Sequence, residues 1–199
     1  MRVVDLGRVA YVEALAMQEA QLARRLAGED DDVVLLCEHD PVYTVGRKRG
    51  ASANVLAAGD VPVVEVTRGG DVTFHGPGQV VAYPIIALAE GERDLHVFMR
   101  RLEQVMIEVC ASFGLTAGRD DRNTGAWIGG RKVGSVGIAC RRWVTWHGMA
   151  LNVTTDLAWF ERINPCGFAP SIMTTMARER DGVLLPEVRE RVTETFRRW

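Results

Sequence analysis

The sequence contains no apolar stretch of membrane-spanning length and no motif of the common nucleotide or metal sites. Its 199 residues include no uninterrupted apolar run of about 18 residues, so no membrane helix is expected. No two of its four cysteines form a CxxC pair, which argues against a zinc ribbon. Neither a GxGxxG fingerprint with a following helix nor a GxxxxGK[ST] phosphate loop occurs. The net charge of −2 provides no electrostatic attraction to nucleic acid.

Linkers, repeats and low-complexity tracts are also missing, so we expect one domain over residues 1–199. An apolar content of 47% is enough to form a sizeable core. The first residues, MRVVDLGRV, lack an apolar signal core, which predicts a cytoplasmic protein.

Hydrophobic periodicity predicts helices separated by groups of strands. Long helices are expected over residues 9–27, 94–113 and 186–199, and short helical turns over 54–59 and 156–162. Strands are expected over residues 33–37, 42–45, 61–67, 80–88, 126–128, 132–140 and 143–153. Pro84 indicates an edge strand or a bulge. Because the strands come in pairs and hairpins, the pattern favours an α+β fold with a mixed, mostly antiparallel sheet and flanking helices.

The glycine-rich stretch RGGDVTFHGPGQ (68–79) is neither a helix nor an ordinary core strand by its composition. Its four glycines and Pro77 allow the backbone to approach a ligand closely. Two interpretations remain open for the stretch alone: a ligand cradle, or a tight hairpin with an internally bonded histidine.

Cys166 is the first candidate for chemistry, because it lies in a Pro-Cys-Gly turn that can hold its thiol exposed. A thiol attacks as the thiolate and needs a base or cation beside it. A loop cysteine without a role is the alternative. The other cysteines, Cys37, Cys110 and Cys140, lie in apolar stretches and are expected to be buried.

Lys132 is the second candidate. Counting in steps of two along its strand places it with Val136, Ile138 and Cys140, which are expected to face the core. A lysine at the end of such a row would be partly desolvated and able to act as a base. The alternative is a lysine that extends to the surface.

Histidines His39, His75 and His147 keep a cysteine–histidine dyad open as an alternative. Three histidines and a cysteine are enough to bind zinc, but none has helical i, i+4 spacing, so no metal is expected. The basic clusters at residues 47–49, 131–132 and 141–142, together with Arg68, predict one basic rim for an acidic partner.

Five segments together resemble the lipoyl(octanoyl) transferases, also called lipoate–protein ligase B. They are LLCEHDPVYTVGR (35–47), RGGDVTFHGPGQVVAYPI (68–85), RKVGSVGI (131–138), WHGMALNV (146–153) and INPCG (163–167). They occur in the family's order, and the glycine-rich stretch followed by INPCG is the specific combination.

The resemblance implies a biotin/lipoate protein ligase-like fold and an acyltransferase. In this family an octanoyl group passes from acyl carrier protein to a lysine of a lipoyl domain, as the first step of endogenous protein lipoylation. Acceptors would be the lipoyl domains of 2-oxoacid dehydrogenase complexes and the glycine cleavage H protein. The thioester donor is already activated, so no cofactor, ATP or metal is implied.

The resemblance also assigns residues. Cys166 matches the cysteine that carries the acyl group as a thioester, and Lys132 matches the lysine that activates it. The segments implied to bind substrate are Arg68, Gly69, Gly70, Asp71, Val72, Thr73, Phe74, His75, Ser135, Val136, Gly137, Gly148, Met149 and Ala150.

Three rival functions remain from the residues alone. An ATP-dependent lipoate or biotin ligase shares the fold but has no use for a cysteine nucleophile. A cysteine–histidine amidotransferase or thioesterase would use His75 or His147 as its base. A non-catalytic acyl-binding or lipoyl-domain-binding module would form no covalent adduct.

Overall fold

A computed structural model describes residues 1–199 as two β-sheets with four helices. The strands are β1 (Arg2–Val9), β2 (Val33–His39), β3 (Val42–Val45), β4 (Val63–Glu65), β5 (Val72–His75), β6 (Gln79–Ile85), β7 (Gly125–Ile128), β8 (Arg131–Arg141) and β9 (Val144–Asn152). The helices are α1 (Tyr11–Ala27), α2 (Leu95–Ser112), α3 (Met176–Glu179) and α4 (Leu185–Arg197). Short 3₁₀ turns cover Ala51–Asn54, Glu90–Glu92, Leu157–Arg162, Pro165–Gly167 and Pro170–Ile172.

The large sheet has six strands in the order β1-β2-β6-β9-β8-β7, and the small sheet has three in the order β4-β3-β5. In each sheet one pair is parallel, β1 with β2 and β3 with β4, and the remaining pairs are antiparallel. The α+β class and the mixed, mostly antiparallel sheet are thereby confirmed.

Both faces of the large sheet are covered, as alternation along β2 shows. Val34 and Leu36 belong to the apolar cluster that includes α2 and α4, whereas Val33, Leu35 and Cys37 belong to the cluster that includes α1. Successive side chains of a strand point to opposite faces, so a continuous apolar run is required here. The small sheet packs through a third cluster around Tyr43 and Phe74.

The three long helices are confirmed, together with two of their end signals. Gly28 ends α1 in the left-handed region, with φ of +75°, which glycine adopts without strain. The Asp94 carboxylate caps α2 by accepting hydrogen bonds from the backbone N–H groups of His96 and Val97.

Several expected elements differ from the structure. Strand β1 and helix α3 were not predicted, and the expected turn over 54–59 lies instead at Ala51–Asn54. The glycine-rich stretch contains a core strand after all, because β5 occupies its middle and is buried along its whole length. The expected strand over 61–67 is reduced to the three residues of β4.

Pro84 lies in a central strand and not at an edge, so that expectation was wrong. Strand β6 pairs with β2 on one side and β9 on the other, and Pro84 is opposite Val34. The ladder to β9 ends at Ala82 opposite Met149, and the Pro84 carbonyl accepts from Thr145 Oγ1 at 2.9 Å. The missing N–H of Pro84 therefore interrupts no ladder hydrogen bond.

No helix is long and apolar enough to cross a membrane. No group of three or more histidine, cysteine, aspartate or glutamate side chains is arranged to hold a metal ion.

Candidate active site

Backbone hydrogen bonds hold the INPCG turn beside the start of β8. The Asn164 N–H donates to the Asn54 carbonyl at 2.8 Å. Beyond the turn, the Thr174 N–H donates to the Lys132 carbonyl at 3.0 Å. The turn is therefore fixed at both ends, and Cys166 reaches Lys132 although 34 positions separate them.

Cys166 has φ of +57° and ψ of +20°, inside the 3₁₀ turn Pro165–Gly167. The left-handed region is uncommon for a residue with a Cβ, and such backbone strain occurs often at functional sites. Its thiol is partly exposed, whereas Cys37 and Cys110 are buried as expected. Cys140 is only partly buried, contrary to expectation, because it lies beside the exposed turn that joins β8 to β9.

Lys132 is buried, with 1% of its surface exposed, and its Nζ lies 3.7 Å from Cys166 Sγ. The Nζ also donates to Asn123 Oδ1, so the amine has two partners. Burial lowers the pKa of Lys132, and the adjacent Cys166 partly offsets that effect. An amine with a lowered pKa beside a thiol can accept its proton, which is the requirement for thiolate formation.

Gly125 makes the position of Lys132 possible. It has φ of +149°, and a Cβ there would lie 2.2 Å from the Gly134 carbonyl oxygen and 2.7 Å from Lys132 Cε. Of the two alternatives for Lys132, the buried one is observed, but the two-residue count that suggested it does not hold along β8. The β7–β8 register shifts between Lys132 and Gly134, so a bulge interrupts the two-residue period.

A cavity of about 310 Å³ opens beside Cys166 and extends between the glycine-rich stretch and strands β8 and β9. Of the residues assigned by resemblance, those that line it are Arg68, Gly69, Gly70, Asp71, Val72, Thr73, His75, Ser135, Val136, Gly137, Gly148, Met149, Ala150 and Cys166. Lys132 does not line the cavity itself. It lies behind the wall and contacts Cys166, which does line the cavity. Phe74 lies outside the cavity, because its ring stacks on Trp159 at 5.4 Å in the core of the small sheet.

Arg68 is buried and its guanidinium holds the glycine-rich stretch in shape. Its Nη1 donates to the carbonyls of Gly69 and Asp71, and its Nη2 donates to the carbonyl and hydroxyl of Thr44. Four hydrogen bonds of 2.8–3.0 Å fix the loop against β3. Arg68 therefore acts inside the protein and is not part of an exposed basic rim.

The predicted single basic rim is wrong for further reasons. Lys132 is buried, and Arg131 is paired with Glu179 at 2.8 Å. Arg141 lies at the far end of β8, roughly 30 Å from Lys132 at about 3.3 Å per residue. Clusters that look alike in sequence therefore lie at different ends of the molecule.

His75 and His147 line the cavity as neutral rings, and neither forms a hydrogen bond with Cys166, whereas His39 lies outside the cavity. Burial lowers the pKa of His75 to about 3, and burial together with the charge of Arg68 lowers the pKa of His147 to about 3. His75 Nδ1 bonds Gln79 Oε1 at 2.8 Å, and His147 Nε2 bonds Thr67 Oγ1 at 3.1 Å. The only side-chain hydrogen bond to Cys166 is from Lys132, so the geometry favours a cysteine–lysine pair.

Sequence reasoning missed Asn123, Tyr11 and Tyr83, which all line the cavity. Asn123 follows a run of charged loop residues and carries no motif that would separate it from them. Tyr11 begins α1 and Tyr83 lies on β6, and both have the apolar neighbours of ordinary core residues. Their positions follow only from the three-dimensional arrangement.

Comparison with known proteins matches this chain to one family. Residues 10–197 match the model of the lipoyl protein ligase A/B catalytic domain. An octanoyltransferase of Geobacter metallireducens is 50% identical over 177 residues, which cover 89% of this chain and 82% of that protein. The chain belongs to the octanoyltransferase family. The expected resemblance is thereby confirmed.

Solved structures place this octanoyltransferase family member in the expected fold. A crystal structure of lipoate-protein ligase A bound with ATP superposes with a TM-score of 0.82 at 17% identity, over 99% of this chain and 84% of that one. Biotin protein ligase from Aquifex aeolicus superposes with a TM-score of 0.58 at 12% identity, over 99% of this chain and 71% of that one. The biotin/lipoate ligase-like fold is confirmed.

The four cysteines should differ sharply toward a neutral alkylating reagent. Burial raises the pKa of Cys37 and of Cys110 to about 12, and burial also raises the pKa of Cys140. We expect iodoacetamide at pH 7 to modify Cys166 at least about tenfold faster than the others, because only the thiolate reacts. Peptide mass spectrometry after timed quenching measures each site. Equal rates at Cys140 and Cys166 would contradict the assignment.

Proposed function

We propose that the enzyme transfers an octanoyl group from acyl carrier protein to a lysine of a lipoyl domain, through a thioester on Cys166. The observation that carries the proposal is the 3.7 Å contact between Lys132 Nζ and Cys166 Sγ at the edge of the cavity. Residues 1–199 act as one catalytic domain in this proposal. The acceptors are the lipoyl domains of 2-oxoacid dehydrogenase complexes and the glycine cleavage H protein, which places the reaction in the cytoplasm.

In the first half-reaction the neutral amine of Lys132 takes the proton from Cys166. The thiolate attacks the carbonyl carbon of the donor thioester and forms a tetrahedral intermediate. When that intermediate collapses, the bond to the carrier's sulfur breaks, and the Lys132 ammonium returns the proton to the departing thiolate. The products are octanoyl-Cys166 and the free carrier thiol.

In the second half-reaction the acceptor lysine attacks the carbonyl carbon of octanoyl-Cys166 as a neutral amine. Lys132 takes the proton that the new amide nitrogen loses, and the bond between carbon and Cys166 Sγ breaks. The same ammonium then returns the proton to Cys166. One buried amine thus serves as base and acid in both half-reactions, and no ATP is consumed.

The negative oxygen of each tetrahedral intermediate needs hydrogen-bond donors. Gly70 and Asp71 line the cavity, and their backbone N–H groups donate no hydrogen bond within the protein. Preorganised donors of this kind stabilise such an oxygen in a site that excludes water. They give the glycine-rich stretch a role in the reaction.

The octanoyl chain would occupy the interior of the cavity. Apolar wall residues come from β6, β8, β9 and α2, and they include Val81, Val136, Met149 and Met99. Burial of a methylene group contributes about 0.8 kcal/mol, so an eight-carbon chain gains substantially from this site. The cavity of about 310 Å³ matches a medium-length acyl chain in scale.

Substitution of the base separates this mechanism from a cysteine–histidine enzyme. Lys132→Met should lower steady-state octanoyl transfer by roughly 10²–10⁴-fold, the usual contribution of a general acid–base group. His147→Gln should retain far more activity, because its ring is neutral and does not contact Cys166. Transfer is measured by mass shift of a lipoyl domain in the absence of ATP. Retained turnover in Lys132→Met with loss in His147→Gln would favour the histidine mechanism.

Carrier docking should depend on basic residues next to the cavity and not on those at the hairpin tip. Arg47 is exposed beside Lys48, whereas Arg141 lies at the other end of β8. Arg47→Glu should raise the donor KM severalfold at low salt, and the effect should shrink above about 0.5 M salt as charges are screened. Arg141→Glu is the matched control. A larger effect from Arg141 would place the carrier at the hairpin tip.

A further inference from the structure

Only two of the 24 lysine and arginine residues of the chain are lysines, Lys48 and Lys132. Both lie at Cys166. Lys48 and Cys166 line the same cavity, and Lys132 contacts Cys166 directly. Lysine carries a compact charge on a flexible stem and can lose its proton, whereas arginine stays charged and binds in a fixed fork. The mechanism above uses Lys132 and leaves Lys48 without a role.

Lys48 is held over the Cys166 turn by a buried carboxylate. Its Nζ donates to Asp71 Oδ2 at 2.8 Å, and its backbone N–H donates to the Gly70 carbonyl at 3.0 Å. A Cβ placed on Gly167 would lie 3.6 Å from Lys48 Nζ. The ammonium therefore lies directly over the residue that follows Cys166, while the side chain is 55% exposed at the cavity mouth.

Asp71 is itself fixed, which makes the position of Lys48 specific. The carboxylate is 3% exposed and accepts from Asn54 Nδ2 at 2.8 Å and from the Val72 N–H at 2.7 Å. Three internal donors leave it little freedom to bind substrate, although resemblance places it in the substrate-binding segment. Its position is instead suited to orienting a cation.

The pKa values of the two lysines are shifted in opposite directions. The hydrogen bond from Lys48 to Asp71 raises the pKa of Lys48, whereas burial lowers the pKa of Lys132. Lys48 therefore stays an ammonium at neutral pH and cannot take a proton. It also cannot attack the nearby thioester, because an ammonium has no free electron pair.

We propose that Lys48, oriented by Asp71, is a second cationic residue of the active site that stabilises the negative charge formed at Cys166 while Lys132 moves the proton. The charge arises first on the Cys166 thiolate and then on the carbonyl oxygen of the tetrahedral intermediates. The thiolate role stands on the structure alone. The role toward the carbonyl oxygen rests on the proposed acyl transfer.

Four titratable groups surround Cys166: Lys132 behind the cavity wall, Lys48 at the mouth, Asp71 buried beneath Lys48, and Arg68 beneath the glycine-rich stretch. All hydrogen bonds of the Arg68 guanidinium are to the protein itself, so Arg68 acts on Cys166 only through the electrostatic field of its charge. Lys48 is the one cation at the open mouth of the cavity whose ammonium retains unused N–H groups, having a single side-chain hydrogen bond.

The test is the pH profile of Cys166 alkylation by iodoacetamide, followed by peptide mass spectrometry in Lys48→Met, Lys48→Arg and Arg49→Met. Lys48→Met keeps an unbranched stem and removes the charge. We expect its profile to move to higher pH, with a rate about three- to tenfold lower at pH 7 in low salt, since tenfold corresponds to one pH unit. The difference should diminish in about 1 M salt, where the Debye length is about 3 Å.

Lys48→Arg should restore most of the rate, because the positive charge returns. Arg49→Met removes a charge from the same loop outside the cavity and should leave the profile unchanged. If Lys48→Met and the enzyme without substitutions have superimposable pH profiles of alkylation at low salt, the proposal is overturned, whatever happens to the donor KM. A shifted profile together with no acyl adduct from the donor would support Lys48 and refute the acyl-transfer mechanism separately.

Discussion

The contact between Lys132 and Cys166 is the feature on which the rest of the site depends. An amine taken out of water favours its neutral form, because burial penalises the charge. Asn123 and Cys166 provide its two partners, so the buried group is not left unsatisfied. The burial therefore lowers the pKa of Lys132 and makes its amine easier to deprotonate, as the proposed role of a base requires. Such perturbed groups in a cavity are a common mark of catalytic sites.

The surrounding fold holds that pair and forms the cavity beside it. Strand β8 provides Lys132, and backbone bonds at Asn164 and Thr174 fix the Cys166 turn against it. The Arg68 and Asp71 side chains bond within the protein, whereas the N–H groups of Gly70 and Asp71 donate no hydrogen bond.

The sequence predicted those helices and strands whose signals lie in neighbouring residues. The apolar stripe of α2, its Asp94 cap and the β8–β9 hairpin follow from periodicity and end signals, and the structure confirms them. Strand β5 was not predicted, because the glycines on both sides give the stretch the composition of a loop. Its four residues are nevertheless buried. The motifs identified the family, which a relative at 50% identity confirms.

Features that depend on distant parts of the chain could not be predicted from sequence. The bulge at Val133 changes which side chains share a face, and the sequence gives no sign of it. Asn123 reaches Lys132 only through the folding of the loop before β7. The prediction of one basic rim was wrong because the sequence does not show whether separate charge clusters meet in space.

The most direct measurement is the intact mass of the enzyme after mixing with octanoyl-carrier protein without an acceptor. The acyl-thioester mechanism predicts one octanoyl group on the enzyme, released by hydroxylamine and absent in Cys166→Ala. Addition of a lipoyl domain should discharge it to the acceptor lysine. If the acceptor is octanoylated at full rate while no enzyme adduct forms, or if Cys166→Ala still carries the group, Cys166 is not the acyl carrier.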